Sequence, residues 1–226
     1  MGKKAKDILA LAEKQIGVHE SPAGSCNVKY NTAYYGGKVN NPALAWCAVF
    51  IWWLFQQNNA ASLFYGGKKT ASCETLWRDY KAKGQIVTTP KAGDIIFFDF
   101  NRNGSPDHVG IVKSVNSNGS VVTIEGNTSA SNQTNGGYVQ KKTRSKSLIF
   151  ALARPKYVTP KEARYKAVMD LNFRKTASLD GAVIGTVKKG TVLVGTVDKN
   201  GWLKTTHDGK AGYVRQKGQK VYMTKL

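Results

Sequence analysis

The chain has 226 residues, 41% of them hydrophobic and 10% aromatic, which is enough apolar material for a packed core and excludes wholesale disorder. Its 34 Lys and Arg against 14 Asp and Glu give a formal net charge of +20, which points to a polyanionic partner: nucleic acid, an anionic membrane or a teichoic-acid-bearing Gram-positive wall. The three cysteines lack C-x-x-C spacing and the three histidines are scattered, so neither a disulfide framework nor a zinc cluster is expected.

At about 100–200 residues per domain, one or two domains are expected. The basic N-terminus leads into a segment interrupted by Glu13, Lys14 and Gln15, so no Sec-type signal is read there and the product is expected in the cytoplasm when made. Residues 6–16 place Ile8, Leu9, Leu11, Ala12 and Ile16 on one face of a short helix that Gly17 ends. Residues 24–41, rich in Gly, Asn and Tyr, read as an irregular loop. The longest apolar stretch, 43–55, falls short of the ~20 residues that span a bilayer and reads as a buried helix with Cys47 in its first turn. Another helix is expected from Thr70 to Lys83, stopped by Gly84.

Beyond Pro90 the period changes. Residues 94–98, 108–115, 121–125, 137–142 and 149–154 are strand-like, and Asn116-Ser117-Asn118-Gly119 is a hairpin turn. Helices followed by strands indicate an α+β domain on an antiparallel sheet. Residues 155–164, with two prolines and several charges, read as a linker. The remainder shows strand-like runs at 182–187, 191–198, 202–206 and 212–215, expected to form a small all-β barrel. The charge is divided evenly: 19 basic and 9 acidic residues up to Pro155, 15 and 5 beyond it.

A thiol in the first turn of a helix meets backbone N–H groups and the positive end of the helix dipole, which can bring a cysteine pKa from about 8.5 to between roughly 3.5 and 7.5. A cysteine nucleophile also needs a base, and the base needs a group to orient it. With the hairpin centred on Ser117–Asn118, paired positions sum to about 235. His108 then faces Asn127 and has Glu125 as its diagonal, same-face neighbour. A helix N-terminus packed on that face would bring in Cys47. Among the rivals, Cys73 is followed at once by Glu74 and reads as a buried structural cysteine. Cys26 lies in a loop, and His19 and His207 read as surface or turn residues.

Four blocks carry a resemblance. They are Trp46-Cys47-Ala48-Val49-Phe50, Pro90-Lys91-Ala92-Gly93-Asp94-Ile95-Ile96-Phe97-Phe98, Asp107-His108-Val109-Gly110-Ile111-Val112 and Ile124-Glu125-Gly126-Asn127. In this order they resemble the CHAP family, the cysteine, histidine-dependent amidohydrolases/peptidases. The resemblance implies a papain-like, NlpC/P60-type α+β domain over 1–155 that hydrolyses peptidoglycan amides. Cys47 would be nucleophile, His108 base, Glu125 its orienter and Asn127 a supporting group. Asp107 is a candidate substrate contact, and Trp46 is read by default as core packing with a border on the cleft as its alternative. Some relatives hold calcium through an aspartate-rich loop before the nucleophile. No Asp or Glu occurs between Glu20 and Cys47, so neither metal nor cofactor is expected.

After a linker at 156–165, residues 166–226 resemble bacterial SH3 (SH3b) domains through Leu171-Asn172-Phe173-Arg174, residues 183–190, Asn200-Gly201-Trp202 and Lys210-Ala211-Gly212-Tyr213-Val214. That family implies recognition of wall peptide bridges, with Trp202 and Tyr213 as candidate contacts; for Trp202, core packing is the stronger reading. An enzyme unit joined to a wall-binding unit looks like a phage endolysin acting on Gram-positive peptidoglycan and its anionic polymers. It is expected to be a monomer, with no specific nucleic acid and no membrane insertion. Alternatives are an autolysin or interbacterial toxin with the same chemistry, a non-catalytic cationic wall binder, or a nucleic-acid binder, for which no recognition motif appears.

Overall fold

The structure, a computed structural model, describes residues 5–157 and 162–226. The chain divides into two compact units, Met1–Val158 and Thr159–Leu226. Within the expected linker 156–165, residues 158–161 lie outside the described residues.

In the first unit the described helices are α1 (Ala5–Glu13), α2 (Lys29–Tyr35), α3 (Cys47–Gln57) and α4 (Cys73–Ala82). Six strands follow: β1 (Ile86–Val87), β2 (Ile95–Phe98), β3 (His108–Val115), β4 (Val121–Thr128), β5 (Tyr138–Arg144) and β6 (Ile149–Ala153). They form one antiparallel sheet in the order β1-β6-β2-β3-β4-β5. The α+β class with N-terminal helices and an antiparallel sheet is therefore what the chain adopts. The segment 24–41 departs from expectation, because α2 forms inside it. Its residues are indifferent helix formers. Tertiary contacts hold it: Tyr30 is buried, and the Asn31 side chain donates to the carbonyls of Cys26 and Leu44 at 2.9 and 3.0 Å.

Helix α3 is apolar on nearly every side, with Ala48, Val49, Phe50, Ile51, Leu54 and Phe55 wholly buried. Such a helix belongs in a core, and each large side chain removed from water contributes about 1.5–3 kcal/mol. It lies against β3 and β4, with α1 and α2 beside it. Strand alternation separates the two faces of the sheet. Ile95, Phe97, Val109, Ile111 and Ile124 join the helices in the main core, whereas Ile96, Phe98, Val112 and Val121 form a second apolar layer with Leu152.

The β3–β4 register pairs Gly110 with Glu125, Ile111 with Ile124 and Val112 with Thr123, then slips by one residue at a bulge near Lys113. His108 pairs with Phe98 of β2. His108 and Glu125 therefore belong to the Phe98 face, whereas α3 packs on the other. This corrects the expectation of a helix packed on the His108 face. The cysteine at the start of α3 meets His108, the first residue of β3, around the end of the strand.

The second unit comprises β7 (Ala163–Ala167), β8 (Leu171–Arg174), β9 (Val183–Val187), β10 (Val192–Val197), β11 (Trp202–His207), β12 (Lys210–Arg215) and β13 (Met223–Lys225). They pair antiparallel in the order β13-β7-β10-β11-β12-β8-β9 around Phe173, Val187, Leu203, Val214 and Met223.

Gly126 marks the closest approach of β4 to α3: a Cβ there would stand 2.6 Å from Phe50 Cβ and 2.9 Å from Trp46 Cζ3. Gly126→Ala is expected to destabilise the first unit by about 1–3 kcal/mol, the usual cost of overpacking. Urea unfolding should show a lower midpoint at unchanged slope; an unaltered midpoint would mean that helix and strand are free to separate.

Candidate active site

Cys47 opens α3, and its preceding residue, Trp46, provides no side-chain cap. The first-turn N–H groups are thus left for other acceptors, and that of Ala48 acts on the Cys47 sulfur. Cys73 opens α4, whose start is fixed by Ser72: its hydroxyl accepts from the Thr75 N–H at 3.1 Å. The two helix starts bring the Sγ atoms of Cys47 and Cys73 to 3.6 Å. Both side chains are buried.

His108 is fully buried, stacked against Phe98 and near Phe100 with ring centroids 6.1 and 5.9 Å away. Its Nε2 lies 3.1 Å from Glu125 Oε2. Among the described residues its Nδ1 has no hydrogen-bond partner at bonding geometry. With Nε2–H given to the carboxylate, Nδ1 is the nitrogen left for proton transfer.

Glu125 is itself wholly buried. Its Oε1 accepts from Thr123 Oγ1 at 2.6 Å and Arg144 Nε at 2.9 Å, while Arg144 Nη2 binds Oε2. The guanidinium carbon of Arg144 lies 5.3 Å from the Phe98 ring centre and 5.0 Å from that of Phe100, and Nη1 donates to Gln133. Gly110, opposite Glu125, leaves room for this side chain: a Cβ on Gly110 would meet Glu125 Cγ at 2.6 Å.

The electrostatics follow from these contacts. The Cys73 hydrogen bond is the largest influence on Cys47. With His108 and the Ala48 N–H it outweighs burial and holds the Cys47 thiol well below its ordinary range. Burial by itself would depress His108, but the hydrogen bonds and negative charges of Cys47 and Glu125 prevail and raise it to about 9. Burial likewise opposes ionisation of Glu125, yet Arg144 and His108 bring it down to about 2. These directions favour a thiolate on Cys47 and an imidazolium on His108, backed by the Glu125 carboxylate.

The remaining residues singled out from the sequence are placed less uniformly. Asn127 stands at φ 59° where the β4–β5 register shifts. Its side chain turns to the following loop, donating to Asn135 Oδ1 at 3.1 Å and accepting from the Gly137 N–H at 3.3 Å. Trp46 follows its default reading as core rather than the alternative place at the cleft: it is wholly buried and donates from Nε1 to Glu20 Oε1 at 2.7 Å. The reason is that an indole in the tight space between α3 and Gly126 has its apolar body filled in by core and its N–H satisfied by a buried carboxylate.

Asp107 borders a cleft of about 500 Å³ together with Pro42, Ala43, Ala45, Phe100 and Asn135. Its Oδ2 accepts from the Phe100 and Asn101 N–H groups at 2.9 and 3.1 Å. Cys26 is buried near the Pro42 carbonyl, and burial pushes its thiol up to about 11, unlike Cys47.

In the second unit Trp202 is 3% exposed, with Arg215 stacked on its ring at 5.1 Å. Its edge reaches a groove of about 510 Å³ shared with Met169, Leu171, Leu179, Arg215 and Tyr222. Tyr213 is half-buried on β12, paired with Lys204 and Arg174.

Sequence reasoning missed Arg144, Thr123, Cys73 and Glu20 as parts of this site. Thr123 was within reach, since residues two apart on a strand share a face. Arg144 carried no local signal, because its partner is 19 residues away on another strand.

Residues 38–127 match the CHAP domain and residues 170–218 the bacterial SH3 domain. Among curated proteins none matches the chain. Of solved structures, it is similar to Ly7917 at 18% identity and a TM-score of 0.40, over 98% of this chain and 97% of that one. It is similar to Ly7917 with the hydrolyzing product of MDP at 18% identity and 0.38, over 98% of each. It is also similar to NlpC2 from Trichomonas vaginalis at 16% identity and 0.26, over 62% of this chain and 47% of that one. Likenesses this distant transfer neither substrate nor mechanism.

The charge arrangement can be read directly. NMR titration of the His108 imidazole, identified by its loss in His108→Gln, should give a midpoint near 9. Glu125→Gln removes the negative charge that favours imidazolium, so the midpoint should fall. An unchanged or higher midpoint would mean that the carboxylate does not act on the ring.

Proposed function

We propose that the chain is a peptidoglycan hydrolase that cleaves an amide of Gram-positive cell walls with Cys47 as nucleophile. The observation that carries the reading is the alignment of Cys47, His108 and Glu125 inside the segment that matches the CHAP domain. The bacterial SH3 unit supplies the wall-binding half of an endolysin arrangement, released to the wall from the cytoplasm of an infected cell.

The Cys47 thiolate attacks the amide carbonyl. The oxyanion that forms lies at the start of α3, where uncapped backbone N–H groups can stabilise it. His108 gives the proton on Nδ1 to the departing amine, leaving an acyl group on Cys47 as a thioester. Water, deprotonated by the same nitrogen, then attacks the thioester and restores the thiolate. Glu125 keeps the ring oriented and favours its charged form through both steps, and Arg144 keeps Glu125 ionised. The cleft bordered by Asp107, Phe100 and Asn135 is the natural place for the substrate strand.

A net charge of +20 favours accumulation on anionic wall polymers and makes binding salt-dependent. The cut falls between a muramoyl-linked or peptide acyl group and the following amine; an amidase and an endopeptidase need the same machinery.

Cys47→Ala is expected to abolish turbidity clearing of Gram-positive walls, a loss of at least about 10³-fold, while sedimentation with walls is retained. Mass spectrometry of wild-type digests should reveal new amine termini that identify the bond. Clearing at the wild-type rate by Cys47→Ala would overturn the mechanism.

A further inference from the structure

We infer that Cys73 is a positioning residue for the proposed reaction: its S–H donates to the Cys47 sulfur and holds Cys47 as the thiolate between turnovers. The inference rests on the reading of Cys47 as nucleophile and deepens it.

The geometry is specific. The Cys73 Sγ is 3.6 Å from Cys47 Sγ, within the range of a hydrogen bond to sulfur. The imidazole Nδ1, by contrast, has no hydrogen-bond partner at bonding geometry among the described residues. The thiol of Cys73 is thus a side-chain donor in place on the Cys47 sulfur, and its influence there exceeds that of His108, which acts by hydrogen bonding and by charge. Cys73 is also rigidly mounted. The Ser72 cap and the bond from the Ser72 N–H to Thr70 Oγ1 at 3.1 Å fix the start of α4.

Two neighbouring sulfurs share one negative charge, and their surroundings decide where it resides. From β3, His108 favours the charge on Cys47. The residue before it, Asp107, acts on Cys73 and disfavours a thiolate there. Glu125 from β4 and Arg144 from β5 stand behind the imidazole and act through it. The hydrogen bond to Cys47, then burial and the Cys47 charge, raise Cys73 well above its ordinary range, so its proton stays in place as a donor. No oxidant is needed: the device is a thiol–thiolate pair with the proton held on one partner.

Iodoacetamide carboxymethylation of Cys47, followed at its peptide by mass spectrometry across pH in the full chain, tests this. Cys73→Ala should raise the Cys47 midpoint by about one pH unit or more, with about tenfold less alkylation below it. Cys73→Ser restores a donor and should bring the midpoint back near wild type. The acid limb of wall clearing should move in parallel.

Unchanged midpoints in folded Cys73→Ala, or equal shifts in Ala and Ser variants, would overturn the inference. Should the Cys73 variants unfold, Cys47→Ser serves instead. It removes the neighbouring charge and should lower the Cys73 alkylation midpoint; no change would count against the pair. Alkylation needs no wall substrate, so its outcome is independent of whether Cys47→Ala loses lysis.

Discussion

A carboxylate cannot stay ionised inside an apolar layer unless its charge is met there, and Glu125 is met on both oxygens by Arg144. Uncompensated, such a buried charge costs several kcal/mol. Paired, it becomes a fixed negative pole beneath His108. Thr123 occupies a further lone pair, and Phe98 and Phe100 flank the guanidinium, so the carboxylate has little freedom to rotate. The orientation of the His108 ring and its raised affinity for a proton both depend on this one ion pair. Glycine at position 110 is the steric condition for it, because any larger residue would displace the Glu125 stem.

The second constraint is the contact between α3 and β4. An apolar helix buried on all sides has its position determined by packing rather than by surface charge. Gly126 lets it approach closely, and the Trp46–Glu20 bond ties its entrance to the preceding loop. Cys47 is thereby delivered to the end of β3 with its helix N-terminus open. The same packing explains why Trp46 is part of the core. Its neighbour in the chain is Cys47, and the buried indole holds the start of α3 in place.

The two units differ in how their charges are set. The first concentrates a few strongly interacting charges in a dry site, where each is worth far more than in water. The second carries 15 basic against 5 acidic residues beyond Pro155, a surplus that salt screens at an exposed surface. Its groove joins apolar side chains to Arg215 stacked on Trp202. Trp202 is therefore mainly a packing residue whose edge contributes to that groove.

Much of this was readable without coordinates. Strand periodicity and the Asn116-Ser117-Asn118-Gly119 turn set the hairpin register, and the register alone placed Glu125 diagonal to His108. These are local matters, governed by a two-residue repeat and a short turn. Helix α2 was not readable, since its residues form a helix only when Tyr30 and Asn31 find partners elsewhere. Nor could the chain alone reveal that α3 packs on the face away from His108, or that Asn127 turns to the loop at 135–137. The charge, the two-part organisation and the candidate thiol, base and acid followed from the order of residues. Which side chains complete them was decided by tertiary structure: Arg144 to Glu125, Cys73 to Cys47, Glu20 to Trp46. Each of those contacts joins elements far apart in the chain, and only close packing brings their atoms within reach.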